Sequence, residues 1–245
     1  MNMPNRIPPV RRARGAYQTG VTLVEFTLVI PFALLLVLGV VQMGLIYSAK
    51  QLVNEGTFMA ARAGAAANAQ LDPIRNAMTK ALIPFYQDSG DTNDYRRLAN
   101  ALRDARNDTS CPSPTSCFLT VEIQNPTRAA FQDFGRSGTA FGGRTYIPND
   151  NLEFRSRATG GSSGLTIQDA NVLKIKVTYG YELKVPLMRS VMASVMCGIR
   201  LGIDAFDGNT PGGTASGDEC TNYYSQGRVP VVAYATVQMQ SPALR

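Results

Sequence analysis

The sequence predicts an α+β fold in which a long N-terminal helix packs on a small antiparallel sheet. Three observations lead there. Residues 26–46 read FTLVIPFALLLVLGVVQMGLI, 21 residues without a formal charge. The next stretch, YSAKQLVNEGTFMAARAGAAANAQL (47–71), has no proline and is rich in alanine, so the helix continues past the apolar run. Far downstream, VLKIKVTYGYELKV (172–185) alternates Leu173, Ile175, Val177 and Tyr179 with Lys174, Lys176 and Thr178, the pattern of a strand wet on one face.

The chain opens with a basic leader, residues 1–20, that carries Arg6, Arg11, Arg12 and Arg14 and no acid. Twenty-one helical residues at about 1.5 Å each reach roughly 31 Å, the hydrocarbon thickness of a bilayer. Residues 21–47 therefore read as a transmembrane helix. Positive charge favours the cytoplasmic side, so the leader stays inside and everything after Tyr47 lies across the membrane. Pro31 removes a backbone hydrogen bond within the span and predicts a kink. Residues 48–71 continue the helix on the exported side. There Gly56, Ala60 and Gly64 recur every four residues. This is either a smooth stripe for close backbone approach or the thin apolar face of an alanine-rich helix, and in both cases it should face protein.

Residues 72–245 form the exported α+β domain. Asp72-Pro73 reads as an N-cap and first-turn proline of a second helix reaching about Leu82. DYRRLANALRDAR (94–106) fits a third, with Tyr95, Leu98, Leu102 and Ala105 on one face. CFLTVEI (117–123) reads as a strand bounded by Asn125-Pro126. The segment 127–165, with FGRSGTAFGG and ATGGSSG, reads as glycine-rich loop lacking the lysine and strand–helix context of a phosphate-binding loop. Gly180 in the 172–185 strand suggests a bulge. PLMRSVMASVM (186–196) suggests a helix begun by Pro186, GNTPGGTASGDE (208–219) a loop without EF-hand spacing, and VPVVAYATVQMQ (229–240) a last strand.

Composition excludes several functions. The net charge of +6 is mostly the leader's, since the remainder carries 20 basic and 18 acidic residues, scattered among one another. No basic face for nucleic acid is expected. The chain has no histidine, which removes Ser-His-Asp and Cys-His catalysis and HExxH chemistry. The acids show no paired spacing, although carboxylate-only catalysis in an anchored hydrolase survives as a weaker possibility. No cofactor site is expected. Cys111, Cys117, Cys197 and Cys220 all fall on the exported side, where an even number favours disulfides. Four cysteines allow three pairings, and the expected one joins Cys111 to Cys117, closing the short loop CPSPTSC, and Cys197 to Cys220, closing a glycine-rich one. A zinc site is the competing reading, but C-x5-C and C-x22-C spacings without histidine fit it poorly, and no metal is expected.

Glu25 sits against the apolar run, where an anion reaching the bilayer interior would cost on the order of 2.5 kcal/mol or more. Three explanations compete. It marks the interfacial end of an ordinary anchor. Or the leader is a secretory signal peptide, for which the run is long and the only small-x-small exit is Tyr47-Ser48-Ala49. Or the leader is cut after Gly20, so that a new α-amino group at Val21 can partner the carboxylate, with the acid in the first helical turn where the macrodipole favours it.

G-V-T-L-V-E-F, the proline-containing apolar run, Gln51, Asn54, Phe58 and AARAGA (60–65) together resemble the TadE-like pseudopilins. The resemblance is close over about residues 15–67. It implies a pilin-like arrangement and cleavage at Gly20–Val21 by a dedicated prepilin peptidase. It also implies residence in the inner membrane with the C-terminal domain periplasmic, and a role as a minor component of tight-adherence (Flp) pilus assembly. The implied partners are the peptidase, the assembly platform, other minor pseudopilins, the major pilin and the lipid bilayer. The glycine-rich loops and cysteines exceed the family's core pattern. From another functional class, the alternative is an uncleaved, signal-anchored extracytoplasmic binding domain.

Overall fold

The computed structural model describes residues 19–88, 90, 92–111, 117–197, 220 and 222–245, with the backbone alone at 19–23 and Ala140. The leader up to Gln18, the interior of the CPSPTSC loop and the 208–219 excursion lie outside the described residues. The chain divides into two compact units, 1–40 and 41–245.

Helix α1 (Thr19–Ala66) runs without interruption through Pro31. In the first unit its side chains from Val24 to Val37 are all exposed. In the second unit one face is buried: Gln42, Ala49, Val53, Gly56, Thr57, Ala60, Ala61, Gly64 and Ala65. These recur at helical spacing and form one stripe. The helix ends in a left-handed turn at Asn68 and Ala69 (φ 59° and 56°), where the Gly64 carbonyl accepts the N–H groups of Ala67 and Ala69 at 3.1 and 2.9 Å. The C-terminal chain completes this cap. The Ala65 carbonyl accepts from the N–H groups of Gln240 and Ser241 at 3.0 and 3.1 Å.

Helix α2 (Leu71–Ala81) begins one residue before the expected cap. Asp72 lies inside the first turn, and Gln70 flanks the helix without a side-chain cap. Helix α3 (Asp94–Thr109) is capped by the Asn93 side chain, which accepts the Arg96 N–H at 3.0 Å. Its expected apolar face holds at Ala105, which is buried, and at half-buried Leu102, and is corrected at its start. Tyr95 and Leu98 are 84% and 50% exposed, and the buried residues are Ala101 and Ala105. The helix is turned so that Asp108, one turn on from Ala105, reaches the sheet.

That sheet has the order β1-β4-β5 and is antiparallel throughout, with β1 (Leu119–Asn125), β4 (Val172–Glu182) and β5 (Arg228–Gln238). On β4, Leu173, Ile175, Val177 and Tyr179 point into the core while Lys174 is exposed, as the alternation predicts. Burial of each aliphatic contributes roughly 1.5–3 kcal/mol. Gly180 is not a bulge. It stays in register opposite Pro230, and the irregularity lies in β1 between Ile123 and Asn125. A Cβ at Gly180 would come within 2.8 Å of the Tyr223 ring, so glycine is there for close packing.

The region read as loop holds helix α4 (Arg128–Phe134) and two strands, β2 (Arg136–Ser137) and β3 (Thr145–Ile147), of a second small sheet that β6 (Ala243–Leu244) completes in the order β2-β3-β6. The ATGGSSG segment is a turn held by Asp133, whose carboxylate accepts from the Ser163 hydroxyl at 2.6 Å and its N–H at 2.7 Å. Those bonds, the Ser163 hydroxyl's first, hold the Asp133 carboxyl below its ordinary range. Helix α5 (Ile167–Ala170) carries a capping box between Thr166 and Asp169 and leads into β4. Helix α6 (Met188–Cys197) follows β4. Cys111 and Cys117 lie at disulfide distance (Cα–Cα 4.1 Å), as do Cys197 and Cys220 (5.7 Å). The core joins α1, α2 and the larger sheet, with Ile74, Met78, Leu173, Ile175 and Val177 fully buried.

Candidate functional site

The candidate site is helix α1 itself. The Gly20–Val21 bond lies in its first turn, because the helix starts at Thr19. Glu25 is exposed, and it is the seventh residue of the helix, so it falls outside the first turn. The macrodipole effect fades within one turn. In the uncut chain the Glu25 carboxylate therefore gains little from it, whereas the expected place in the first turn belongs to a chain cut after Gly20. The reason is local: Thr19 and Gly20 extend the helix N-terminally.

From Val24 onward the exposed side chains are almost all apolar, with Phe26, Phe32 and Leu36 at 64%, 76% and 65% exposure. Among the described residues one helix is long and apolar enough to cross a membrane, and its most apolar 18-residue window is wholly unburied, with a mean hydropathy of 2.5. In water such a surface would be a large uncompensated cost. It fits a single-pass membrane anchor. Pro31 sits within this exposed section.

The stripe Gly56, Ala60, Gly64 faces protein, and that protein is the chain's own domain. A Cβ at Gly56 would lie 2.9 Å from the Ala81 Cβ, and one at Gly64 would lie 2.5 Å from Ile74 Cγ1 and 3.0 Å from Leu173 Cδ2. Glycine allows α2 and β4 to approach this closely. The stripe is thus occupied and cannot also receive another subunit. The opposite face is open: Tyr47, Gln51, Asn54, Glu55, Phe58, Met59 and Arg62 are exposed. The Arg62 guanidinium lies 5.9 Å from the Phe58 ring centroid.

Two features escaped sequence reasoning. Gln42 is one of only two polar residues in the 26–46 run, Thr27 being the other. It is 2% exposed, and its Oε1 accepts the Val185 N–H at 3.0 Å. The lone amide in an apolar run was the available signal. The second feature joins α3 to the sheet. Arg228 holds both Asp108 carboxylate oxygens and the Gly180 carbonyl (2.9 Å), and its guanidinium lies 3.9 Å over the Phe118 ring. The Tyr86 hydroxyl donates to Asp108 and meets the Tyr179 hydroxyl at 2.9 Å. Burial raises the Tyr86 hydroxyl far above its usual range and pushes Tyr179 up to about 12.

Two carboxylates, Asp108 and Glu182, line this cluster. The cavity it borders is about 40 Å³, little more than a water molecule. Asp108 is clamped by Arg228, and Glu182 is held below the ordinary carboxylate range, chiefly by its hydrogen bond with Lys184. A general acid needs the opposite shift. The arrangement is a fastening between elements.

Residues 20–62 match the family described as TadE-like protein. No curated protein and no solved structure matches the chain. The matched segment spans the G-V-T-L-V-E-F motif, the apolar section and most of α1 beyond it. Within it, Gln51, Asn54 and Phe58 stand on the open face.

Proposed function

We propose that this chain is a minor pseudopilin of a tight-adherence (Flp) pilus assembly system and not an enzyme. Helix α1 anchors it in the inner membrane with the C-terminal domain periplasmic. A prepilin peptidase removes residues 1–20, and the new α-amino group of Val21 pairs with Glu25 of the same or a neighbouring subunit. The observation that carries this reading is the family match over 20–62, which begins at the glycine of the cleavage motif and runs through a helix whose first section is bare apolar surface.

The open face from Tyr47 to Arg62 is the part of α1 that contacts the major pilin, other minor pseudopilins or the assembly platform. The small-residue stripe is excluded from that task because α2 and β4 occupy it. Within the bilayer, lateral contact relies on close packing of the exposed side chains, because lipid offers no hydrophobic drive.

N-terminal sequencing of the protein extracted from its own membranes tests the proposal. A chain beginning at Val21 is expected. A chain that keeps the leader arginines in cells containing the peptidase overturns it and leaves an anchored extracytoplasmic binding domain.

A further inference from the structure

We infer that the turn joining β4 to α6, with Leu187 at its tip, inserts into the membrane leaflet at the exported end of α1, and that Lys184 and Arg189 beside it meet anionic phospholipid headgroups. This rests on the reading of α1 as a membrane anchor and adds a second point of lipid contact to it.

The depth follows from Gln42. It lies four residues before Ile46, the end of the apolar run, hence about 6 Å inside that boundary at 1.5 Å per residue. Its Oε1 holds the Val185 N–H at 3.0 Å, which places the turn beside the last apolar section of the helix. There α1 exposes Val41, Met43 and Leu45 at 49%, 62% and 37%. Leu187 is two residues from Val185 and is 54% exposed, with a left-handed φ of 70° unusual for a leucine. Pro186 is exposed beside it. In water this is an apolar projection next to an apolar helix end. Against lipid the two surfaces are continuous.

The charges fit the same partner. Lys184 and Arg189 share one carboxylate, Glu182, at 2.7 and 3.4 Å, so the rim of the turn carries one net positive charge. Both side chains are half-exposed and long enough to keep their heads at the headgroup level while their stems cover apolar surface.

The chain has no tryptophan, so a single introduced one reports without background. The full chain is reconstituted in vesicles of zwitterionic and anionic phospholipid with bromine on the acyl chains. Met43→Trp reports the helix, Leu187→Trp the turn, and Tyr95→Trp the exposed surface of α3. Pro186→Trp reads the same turn should Leu187→Trp fail to fold. The expected result is quenching of Leu187→Trp at least about half as strong as that of Met43→Trp, with none for Tyr95→Trp. Adding Lys184→Glu and Arg189→Glu should lower the quenching at the turn. If Met43→Trp is quenched while the turn variants behave like Tyr95→Trp, this inference falls and the anchor stands. If Met43→Trp is itself unquenched, the anchor falls and the inference with it. Equal quenching at all three sites also overturns it, because no segment is then selected.

Discussion

Arg228, the first residue of β5, holds both carboxylate oxygens of Asp108 in α3, at 2.8 and 2.9 Å, across 120 residues of sequence. Both side chains are about five-sixths buried, at 15% and 16% exposure. The two parallel bonds, the stacking on Phe118 and the Tyr86 hydroxyl leave little of either charge unsatisfied. Removing one partner would strand the other.

Arg228→Ala should therefore destabilise the unit of residues 41–245 by about 3 kcal/mol. Arg228→Lys should recover little, because an ammonium neither forks onto a carboxylate nor stacks on an aromatic face in the same way. Urea unfolding of the detergent-solubilised protein checks both.

Glycine positions on α1 should respond to alanine in opposite ways. At Gly44 nothing lies within 4 Å of an added Cβ, so Gly44→Ala should be neutral or should stabilise the helix by up to about 1 kcal/mol. At Gly64 the same change meets buried Ile74, and overpacking of about 1–3 kcal/mol outweighs the helical gain. The double variant Gly64→Ala with Ile74→Ala should lose less than the sum of the two single changes. Thermal unfolding midpoints decide.

High pH should loosen the domain. The Tyr179 hydroxyl is pushed up to about 12 from its ordinary 10, first by burial. The native state holds this proton more tightly than the unfolded chain does. The stability from neutral Tyr179 is therefore fully present below pH 10 and is lost as pH rises through 12, a loss on the order of 2 kcal/mol. Tyr86 shifts in the same direction. Denaturation midpoints measured across that interval should fall, and Tyr179→Phe should flatten the fall.

Processing and assembly should separate at Gly20 and Glu25. Gly20→Leu should leave the leader attached in nearly all molecules, because a bulky side chain crowds the cleavage site. Glu25→Ala should permit membrane insertion and yet abolish most pili. N-terminal sequencing and electron microscopy of the two strains give the readouts. Normal pili from Glu25→Ala cells would refute the pairing assigned to the carboxylate.

The open face of α1 should matter for assembly and little for folding. Phe58 is 45% exposed and touches Arg62 only at cation–π distance. Phe58→Glu should change stability by no more than about 1 kcal/mol. It should still reduce pilus number, whereas Gly64→Ala reduces folded protein first.

The long helix, the strands of the larger sheet and the apolar anchor were legible because each repeats a pattern. An uncharged run of bilayer length needs no partner to be recognised, and β4 displays its buried face every second residue. The second sheet did not show. Strands of two or three residues, as in Arg136–Ser137 and Thr145–Ile147, are too short for alternation to emerge from a glycine-rich background. Helix α3 misled for a related reason. Tyr95 and Leu98 were expected on the core face with Leu102 and Ala105, but of these four only Ala105 is fully buried, together with Ala101, because the helix turns to bring Asp108 to Arg228.

By itself, then, the sequence determined the α+β class, the apolar run of bilayer length and the G-V-T-L-V-E-F motif before it, since all three depend on residues near one another along the chain. Only the tertiary structure decided which side of α1 is spent inside the molecule and which remains free. That choice belongs to Ile74, Leu173 and Ala81, residues from other elements whose approach to Gly56 and Gly64 leaves Gln51, Asn54 and Phe58 facing outward. Periodicity along a helix marks a stripe as small, but the atoms that fill it come from elsewhere in the fold.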